Sequence, residues 1–201
     1  SRPAGGGRRS ETPETSVLRR PSFRPGAPRA RRTLSAAGPC VRAGLCSVSV
    51  ASIRRIETRS ADLARLVRLT DEYLGGLYPA ESNHLEDIGT LLGPKALMLG
   101  AWCDAQLVGC GAVKFMDDDG SYGEIKRGFV QTEHRGKGIS KTIMQVLEDE
   151  LRDRQIRLAR LETGISQPEA IGLYRRLGYR ERGPFGRYRP DPLSLFMEKT
   201  L

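Results

Sequence analysis

Metal-binding and disulfide spacings are missing from this 201-residue sequence. The four cysteines (Cys40, Cys46, Cys103 and Cys110) form no CxxC pair, and the two histidines, His84 and His134, are far apart in the chain. Neither a zinc site nor a disulfide framework is indicated, so we expect no bound metal. Reduced thiols are the expected state, which predicts a cytoplasmic location.

Long apolar runs are missing as well. No segment approaches the roughly 18 consecutive apolar residues that a membrane-spanning helix needs, so we expect a soluble domain without a membrane partner. The length suits one domain with a real core and is too short for two ordinary domains.

Positive charge is confined to one end of the chain. The formal net charge is +9, but residues 1–47 hold ten Arg, no Lys and only two acids, which leaves the remainder close to neutral. A near-neutral folded part argues against a nucleic-acid partner.

The first 47 residues also lack the apolar content of a folded segment. They contain six of the twelve prolines and a single aromatic residue, Phe23. Such a composition cannot bury enough surface to offset its ordering entropy, so we predict a disordered extension followed by one folded domain over 48–201. Three origins stay open: a start site assigned too far upstream, an organellar transit peptide, or a basic interaction arm.

Beyond residue 47, strand-like and helix-like patterns alternate, which predicts a mixed α/β domain. The helices are expected after an N-cap at Ser60, over 85–92, after Gly138, and from a capping box at Ser166 to Glu169. The third helix should bury Ile139, Ile143, Val146, Leu147 and Leu151, and the first should bury a stripe from Leu63 to Leu77. The strands are expected over 48–57, 96–103, 106–116, 122–131, 156–163, 179–182 and 193–199.

The segment HRGKGIS at 134–140 is a glycine-rich turn that leads from a strand into a helix. Gly136 and Gly138 permit a sharp turn and a close approach to a ligand, and the amides of 137–140 lie at a helix N-terminus. These amides would hold a pyrophosphate, with Arg135 and Lys137 adding positive charge. A basic exposed turn that only starts a helix is the alternative. The P-loop and Rossmann glycine patterns are both absent.

The spacing Arg135-x-x-Gly138-x-Ser140 resembles the Q/R-x-x-G-x-G/A signature of GNAT N-acetyltransferases, with Ser where Gly or Ala is usual. The resemblance extends over about 48–201 and includes the element order. It implies a single GNAT-type domain with a mixed, mostly antiparallel sheet, helices on both faces, and a cofactor cleft between splayed fourth and fifth strands. It also implies acetyl-CoA as the co-substrate.

The same resemblance assigns roles to individual residues. Tyr174 would protonate the departing thiolate, or it is an ordinary packing aromatic. Glu124 would be the general base, or it is an exposed carboxylate paired with Lys126 or Arg127; Glu162 is the second candidate base. The implied cofactor residues are Phe129, Val130, Gln131, Arg135, Gly136, Lys137, Gly138, Ile139 and Ser140.

Two segments are expected to contact the acceptor. Glu81 and His84 lie where GNAT proteins place substrate-binding loops, which implies that Glu81 pairs with a cationic substrate and His84 relays a proton. A solvated loop in which Asn83 caps a helix is the alternative. The run from Pro184 to Tyr188 is similar to that of YsnE-like bacterial members of the family, which implies that Arg187 and Tyr188 face the acceptor. Arg187 would then favour a carboxylate-bearing amine, unless this loop only covers a sheet edge.

We therefore predict an enzyme that moves an acetyl group from acetyl-CoA to a primary amine of a small or amino-acid-like molecule. Protein or peptide N-acetylation and a non-catalytic acyl-CoA-binding regulatory domain are the alternatives. The sequence leaves homodimerisation open.

Overall fold

The computed structural model describes residues 51–82 and 85–201, the side chain of Glu81 excepted, so the predicted extension over 1–47 lies outside the described residues. The described part is built from seven strands and four α-helices. The strands are β1 (Ser52–Arg55), β2 (Ala96–Cys103), β3 (Gln106–Met116), β4 (Tyr122–Val130), β5 (Leu158–Gly164), β6 (Arg180–Arg182) and β7 (Ser194–Thr200). The helices are α1 (Ala61–Gly75), α2 (Ile88–Leu91), α3 (Ile139–Asp153) and α4 (Pro168–Arg176).

All seven strands form one sheet in the order β1-β2-β3-β4-β5-β7-β6. Every neighbouring pair is antiparallel except β4 and β5, which run parallel. A parallel pair needs a crossover connection, and here that connection contains α3. The predicted mixed, mostly antiparallel sheet is confirmed.

The parallel pair is joined over only a short stretch. Three registered positions connect the strands, and the last joins Ile125 to Leu161. Immediately beyond it, β4 carries a bulge opposite Gly111, where Arg127 has a φ of 55°. A bulge bends its strand, so the remainder of β4 diverges from β5 and leaves one edge without a strand partner. The predicted splayed cleft is confirmed.

Helices cover both faces of the sheet, as predicted. On one face, α1 and α2 pack against β2 and β3 through a cluster that includes Leu66, Leu91 and Met98. On the opposite face, α3 and α4 pack against all the central strands through a cluster that includes Leu147 and Leu161. The central strands are therefore covered on both faces, and their consecutive side chains, which point to opposite faces, are buried. In the described part of the chain, no helix has the length and apolar character that a membrane crossing requires.

Two predicted helix faces are wrong in detail. Val146 was expected in the core, but it is 37% exposed, and the buried face of α3 includes Met144 and Glu148 instead. A polar residue takes this inner position because the Lys199 ammonium donates a hydrogen bond to Glu148 Oε2 at 2.6 Å. Leu77 lies beyond the end of α1 and is also exposed.

The capping box predicted at Ser166 does not form. The α4 N-cap is Gln167, with no side-chain cap, and the helix starts at Pro168. The Ser166 N–H instead donates a hydrogen bond to the Tyr78 hydroxyl oxygen at 2.9 Å, so a side chain from another segment satisfies the start of α4. The N-cap predicted at Ser60 is confirmed, since its side chain accepts from Leu63 N–H.

Candidate active site

The glycine-rich turn leads into α3, and the N-terminus of this helix lines a cavity. Gly136 and Gly138 have φ values of 74° and 78°, which L side chains rarely adopt. Gly138 is the α3 N-cap and places no side chain on the first amides of the helix. These N–H groups have no partner within the helix, and the helix dipole adds positive potential beside them. The arrangement suits an anionic group.

Most of the predicted cofactor residues line this cavity, whose volume is about 500 Å³. Gln131 and Lys137 do not. Gln131 is buried, and its side-chain amide donates to the Leu107 carbonyl at 3.3 Å. Lys137 is exposed on the turn. The predicted residues that do line the cavity are Phe129, Val130, Arg135, Gly136, Gly138, Ile139 and Ser140.

Arg135 is folded back over the end of β4. Its Nε donates a hydrogen bond to the Val130 carbonyl at 3.0 Å, and its guanidinium lies 5.1 Å from the ring centroid of Tyr73. The side chain therefore forms one wall of the cavity and joins the glycine turn to α1.

Tyr174 also lines this cavity, which we name the cofactor cavity after the residues predicted for it. It projects from α4 and is 9% exposed. Its hydroxyl is 3.4 Å from the position that a Cβ on Gly128 would occupy, so it faces the unpaired part of β4. Burial, and secondly the negative charge of Glu162, raise the pKa of Tyr174 to about 12. The phenol is therefore protonated, and can donate a hydrogen bond, at every physiological pH.

A small central cavity of about 90 Å³ lies beyond Tyr174, in the gap between β4 and β5. Glu162 lines this cavity together with Tyr174 and Gly128. The Ser194 hydroxyl donates to Glu162 Oε1 at 2.7 Å and orients the carboxylate. The structure thus brings two of the three predicted catalytic residues, Glu162 and Tyr174, to one cavity.

Glu124 occupies a different place. It is 5% exposed, which is contrary to the exposed carboxylate that we considered as its alternative role. It accepts a hydrogen bond from the Tyr188 hydroxyl at 2.7 Å, and its Oε1 lies 3.4 Å from Lys126 Nζ. Lys126 Nζ also donates to the Tyr188 oxygen at 2.6 Å. The three groups form a buried network that ties the C-terminal loop to β4.

A third cavity, which we name the wide cavity, has a volume of about 770 Å³ and lies under the C-terminal loop. Glu124, Arg187 and Tyr188 line it, and Arg187 is exposed at its rim. Burial, followed by the charge of Glu124, raises the pKa of Tyr188. His84 and the side chain of Glu81 lie outside the described residues, so their predicted acceptor contacts stay predictions.

The three cavities are neighbours that share lining residues. Gly128 and Tyr174 line both the cofactor cavity and the central cavity. Glu86 and Lys126 line both the central cavity and the wide cavity. The central cavity therefore adjoins both the cavity at the α3 N-terminus and the cavity under the C-terminal loop.

Sequence reasoning missed two residues of this site. Arg127, considered only as a partner of Glu124, lines the central cavity and is bonded to Asp71 and to the Glu86 carbonyl. Tyr78 lines the same cavity and packs against Gly164. In the sequence, Gly128 next to Arg127 was the one sign of a bulge. Nothing in the sequence marked Tyr78 as a site residue, because its contacts are distant in sequence.

Comparison with known proteins agrees with this geometry. Residues 63–179 match the model of the Acetyltransferase (GNAT) family. The chain is 50% identical over 139 residues to an IAA acetyltransferase of Azospirillum brasilense, covering 69% of this chain and 90% of the relative. It is 35% identical over 142 residues to the N-acetyltransferase YsnE of Bacillus subtilis, covering 68% and 93%.

Among solved structures, one described as an acyl-CoA N-acyltransferase of Klebsiella pneumoniae is similar, with 34% identity and a TM-score of 0.66. The match covers 76% of this chain and 99% of that chain. The glycine turn at the start of α3, the splayed strands and the sequence relatives agree. We conclude that this chain belongs to the GNAT acetyltransferase family, as an acyl-CoA N-acyltransferase with YsnE among its relatives.

Proposed function

We propose that this enzyme transfers an acetyl group from acetyl-CoA directly to the primary amine of a small, amino-acid-like molecule, on a domain formed by residues 48–201. The observation that carries the proposal is the central cavity, where Tyr174 and Glu162 meet between the cofactor cavity and the wide cavity. Both partners of a direct transfer would meet in that space, beside the two candidate catalytic groups.

The cofactor side supports binding of coenzyme A. The open amides at the start of α3 would hold the pyrophosphate, and the unpaired edge of β4 at Phe129 and Val130 would bond the amides of the pantetheine arm. The thioester would then lie beside Gly128, whose added Cβ would be 3.4 Å from the Tyr174 hydroxyl. Bound acetyl-CoA supplies the acetyl group as an activated thioester.

The transfer forms a C–N bond and breaks the C–S bond. An amine near pKa 10 is almost fully protonated at pH 7, so a base must remove its proton before attack. We assign this role to Glu162 in preference to Glu124, because Glu162 lines the central cavity whereas Glu124 is held by Lys126 and Tyr188. Tyr174 then donates its proton to the thiolate that leaves, and the second proton that the nitrogen loses on forming the amide restores the phenol.

The wide cavity supports a small acceptor. A volume of about 770 Å³ suits a small molecule, which agrees with the description of the A. brasilense relative as an IAA acetyltransferase. No ion pair holds Arg187 among the described residues, so its guanidinium can donate hydrogen bonds to a carboxylate of the acceptor molecule. Tyr188 supplies an aromatic wall beside it.

The test is acetyl-CoA consumption, measured by thiol release, across a panel of amines and amino acids. With an amine that reacts, Glu162→Gln should lower kcat by roughly 100-fold or more, the usual contribution of a general base. Glu124→Gln should act mainly on the KM of the acceptor. Glu150→Gln, on the outer face of α3, is the matched control and should match the wild type. Equal kcat for Glu162→Gln and the wild type would remove Glu162 as the base.

A further inference from the structure

Arg127 is unusual among the residues of β4, because it combines a rare backbone conformation with a buried charge. It follows the last residues that β4 shares with β5, and its φ of 55° is rare for a residue with a side chain. Its side chain is 8% exposed, although a guanidinium is always charged. A buried charge in an unfavourable backbone conformation needs strong partners.

Those partners are the main chain of Glu86, in the loop before α2, and the carboxylate of Asp71 in α1. Arg127 Nε and Nη2 both donate to the Glu86 carbonyl, at 3.1 and 2.9 Å. Nη1 is ion-paired with the Asp71 carboxylate of α1. The planar fork of a guanidinium can make all three contacts at once, whereas an ammonium cannot.

Glu86 is fixed at its other end as well. Its carboxylate accepts a hydrogen bond from Lys114 Nζ of β3 at 2.6 Å. Glu86 and Lys114 both line the wide cavity, and Glu86 also lines the central one. The Arg127 guanidinium therefore sets the position of a wall that the two cavities share.

The backbone of Arg127 belongs to the opposite side of the site. Its carbonyl accepts a contact from the Cys110 thiol at 3.4 Å, and Cys110 lines the cofactor cavity. The next residue, Gly128, faces the Tyr174 hydroxyl. Through its main chain, Arg127 thus contacts Cys110, which lines the cofactor cavity. Through its side chain, it contacts Glu86, which lines the wide cavity.

We propose that Arg127 is a positioning residue that couples occupation of the cofactor cleft to the order of the acceptor wall at residues 85–87. A ligand bonded along β4 would restrain the bulge, and the guanidinium would transmit that restraint to Glu86. The inference rests on the proposed function for the identity of the two cavities. It predicts that acetyl-CoA prepares the acceptor side before an amine arrives.

Hydrogen–deuterium exchange on the full chain tests the coupling without an acceptor. Acetyl-CoA should slow exchange of the amides of 85–92 in the wild type. Arg127→Met should speed their exchange by roughly tenfold, the effect of losing one to two hydrogen bonds, and should abolish the response to acetyl-CoA. Its Kd for acetyl-CoA, measured by calorimetry, should stay within about threefold of the wild type. Arg154→Met, which removes an exposed ion pair on α3, is the control and should keep the response.

Two milder variants keep the test decisive if Arg127→Met fails to fold. Asp71→Asn and Arg127→Lys each retain only part of the anchor, so both should reduce the response of 85–92 to acetyl-CoA. With an amine that reacts, both should raise the KM of the acceptor more than they lower kcat. A full response in both variants would overturn the coupling. A coupled response together with an inactive amine panel would instead leave Arg127 in place and refute the proposed acetyl transfer to amines.

Discussion

Gly164 provides the sharpest test of the site's geometry. It ends β5, beyond the point where β4 and β5 separate, and the ring of Tyr78 covers it. A Cβ at Gly164 would overlap Tyr78 Cζ and Oη and would lie 2.7 Å from Cε1. Tyr78 is 7% exposed and has little room to retreat. Gly164→Ala should therefore displace the ring or the strand.

The cost can be worked out from two contributions. Overpacking a close-packed site costs about 1–3 kcal/mol. Moving the ring also weakens the hydrogen bond from Ser166 N–H to the Tyr78 oxygen, about 1 kcal/mol. A total of about 2–4 kcal/mol should lower Tm by roughly 5–15 °C for a domain of this size. Because Tyr78 lines the central cavity, turnover should fall as well, with acetyl-CoA affinity retained.

Thermal unfolding followed by circular dichroism measures the effect. Gly75→Ala is the matched control. Outside its own helix backbone, the added Cβ would meet no atom of the described residues within 4 Å, and Ala at this helical position should stabilise slightly. In a Tyr78→Ala background the ring is gone, so Gly164→Ala should have almost no further effect on Tm. An equal loss of Tm in both backgrounds, or no loss in the wild type, would refute the packing argument.

Three further predictions concern the cofactor side. Gly138→Arg should abolish acetyl-CoA binding in calorimetry, because its side chain would enter the phosphate turn at a φ of 78°; unchanged affinity would refute the site. Tyr174→Phe should lower kcat by roughly 100-fold or more and leave the Kd of acetyl-CoA nearly unchanged, and equal turnover would make Tyr174 a packing residue. Because burial raises the pKa of Tyr174 from 10.0 to about 12, the protonated phenol stabilises the fold below pH 10, and that contribution is lost as the pH rises from 10 to 12. Urea unfolding over this range should show a shallower decline in the free energy of unfolding for Tyr174→Phe than for the wild type.

Much of the fold was predictable because local signals agreed with it. The predicted bounds of β2 and β3 match the structure, since apolar runs end at Asp104 and at the acidic turn after Met116. The N-cap at Ser60 and the turn at Gly138 were equally readable. The capping box at Ser166 was wrong, because a distant hydroxyl competes for the same amide and local spacing cannot reveal it.

The candidate site was predictable only in part, for the same reason. A glycine turn at a helix start is a local motif, so the residues around Gly138 could be named from spacing. Carboxylates carry no such signal. In the sequence, Glu124 and Glu162 look alike as strand residues. Only the tertiary structure shows that Glu124 is bonded to Lys126 and Tyr188, whereas Glu162 lines the central cavity.

The sequence by itself determined the element order, the helix mouth at Gly138 and the family, because each depends on residues close together in the chain. The tertiary structure alone decided which side chains share the central cavity, where Arg127 reaches across to Glu86, and how Tyr78 covers Gly164. Such contacts join segments that are distant in sequence, and they depend on a bulge and a strand separation whose positions are set by the packing of the whole sheet.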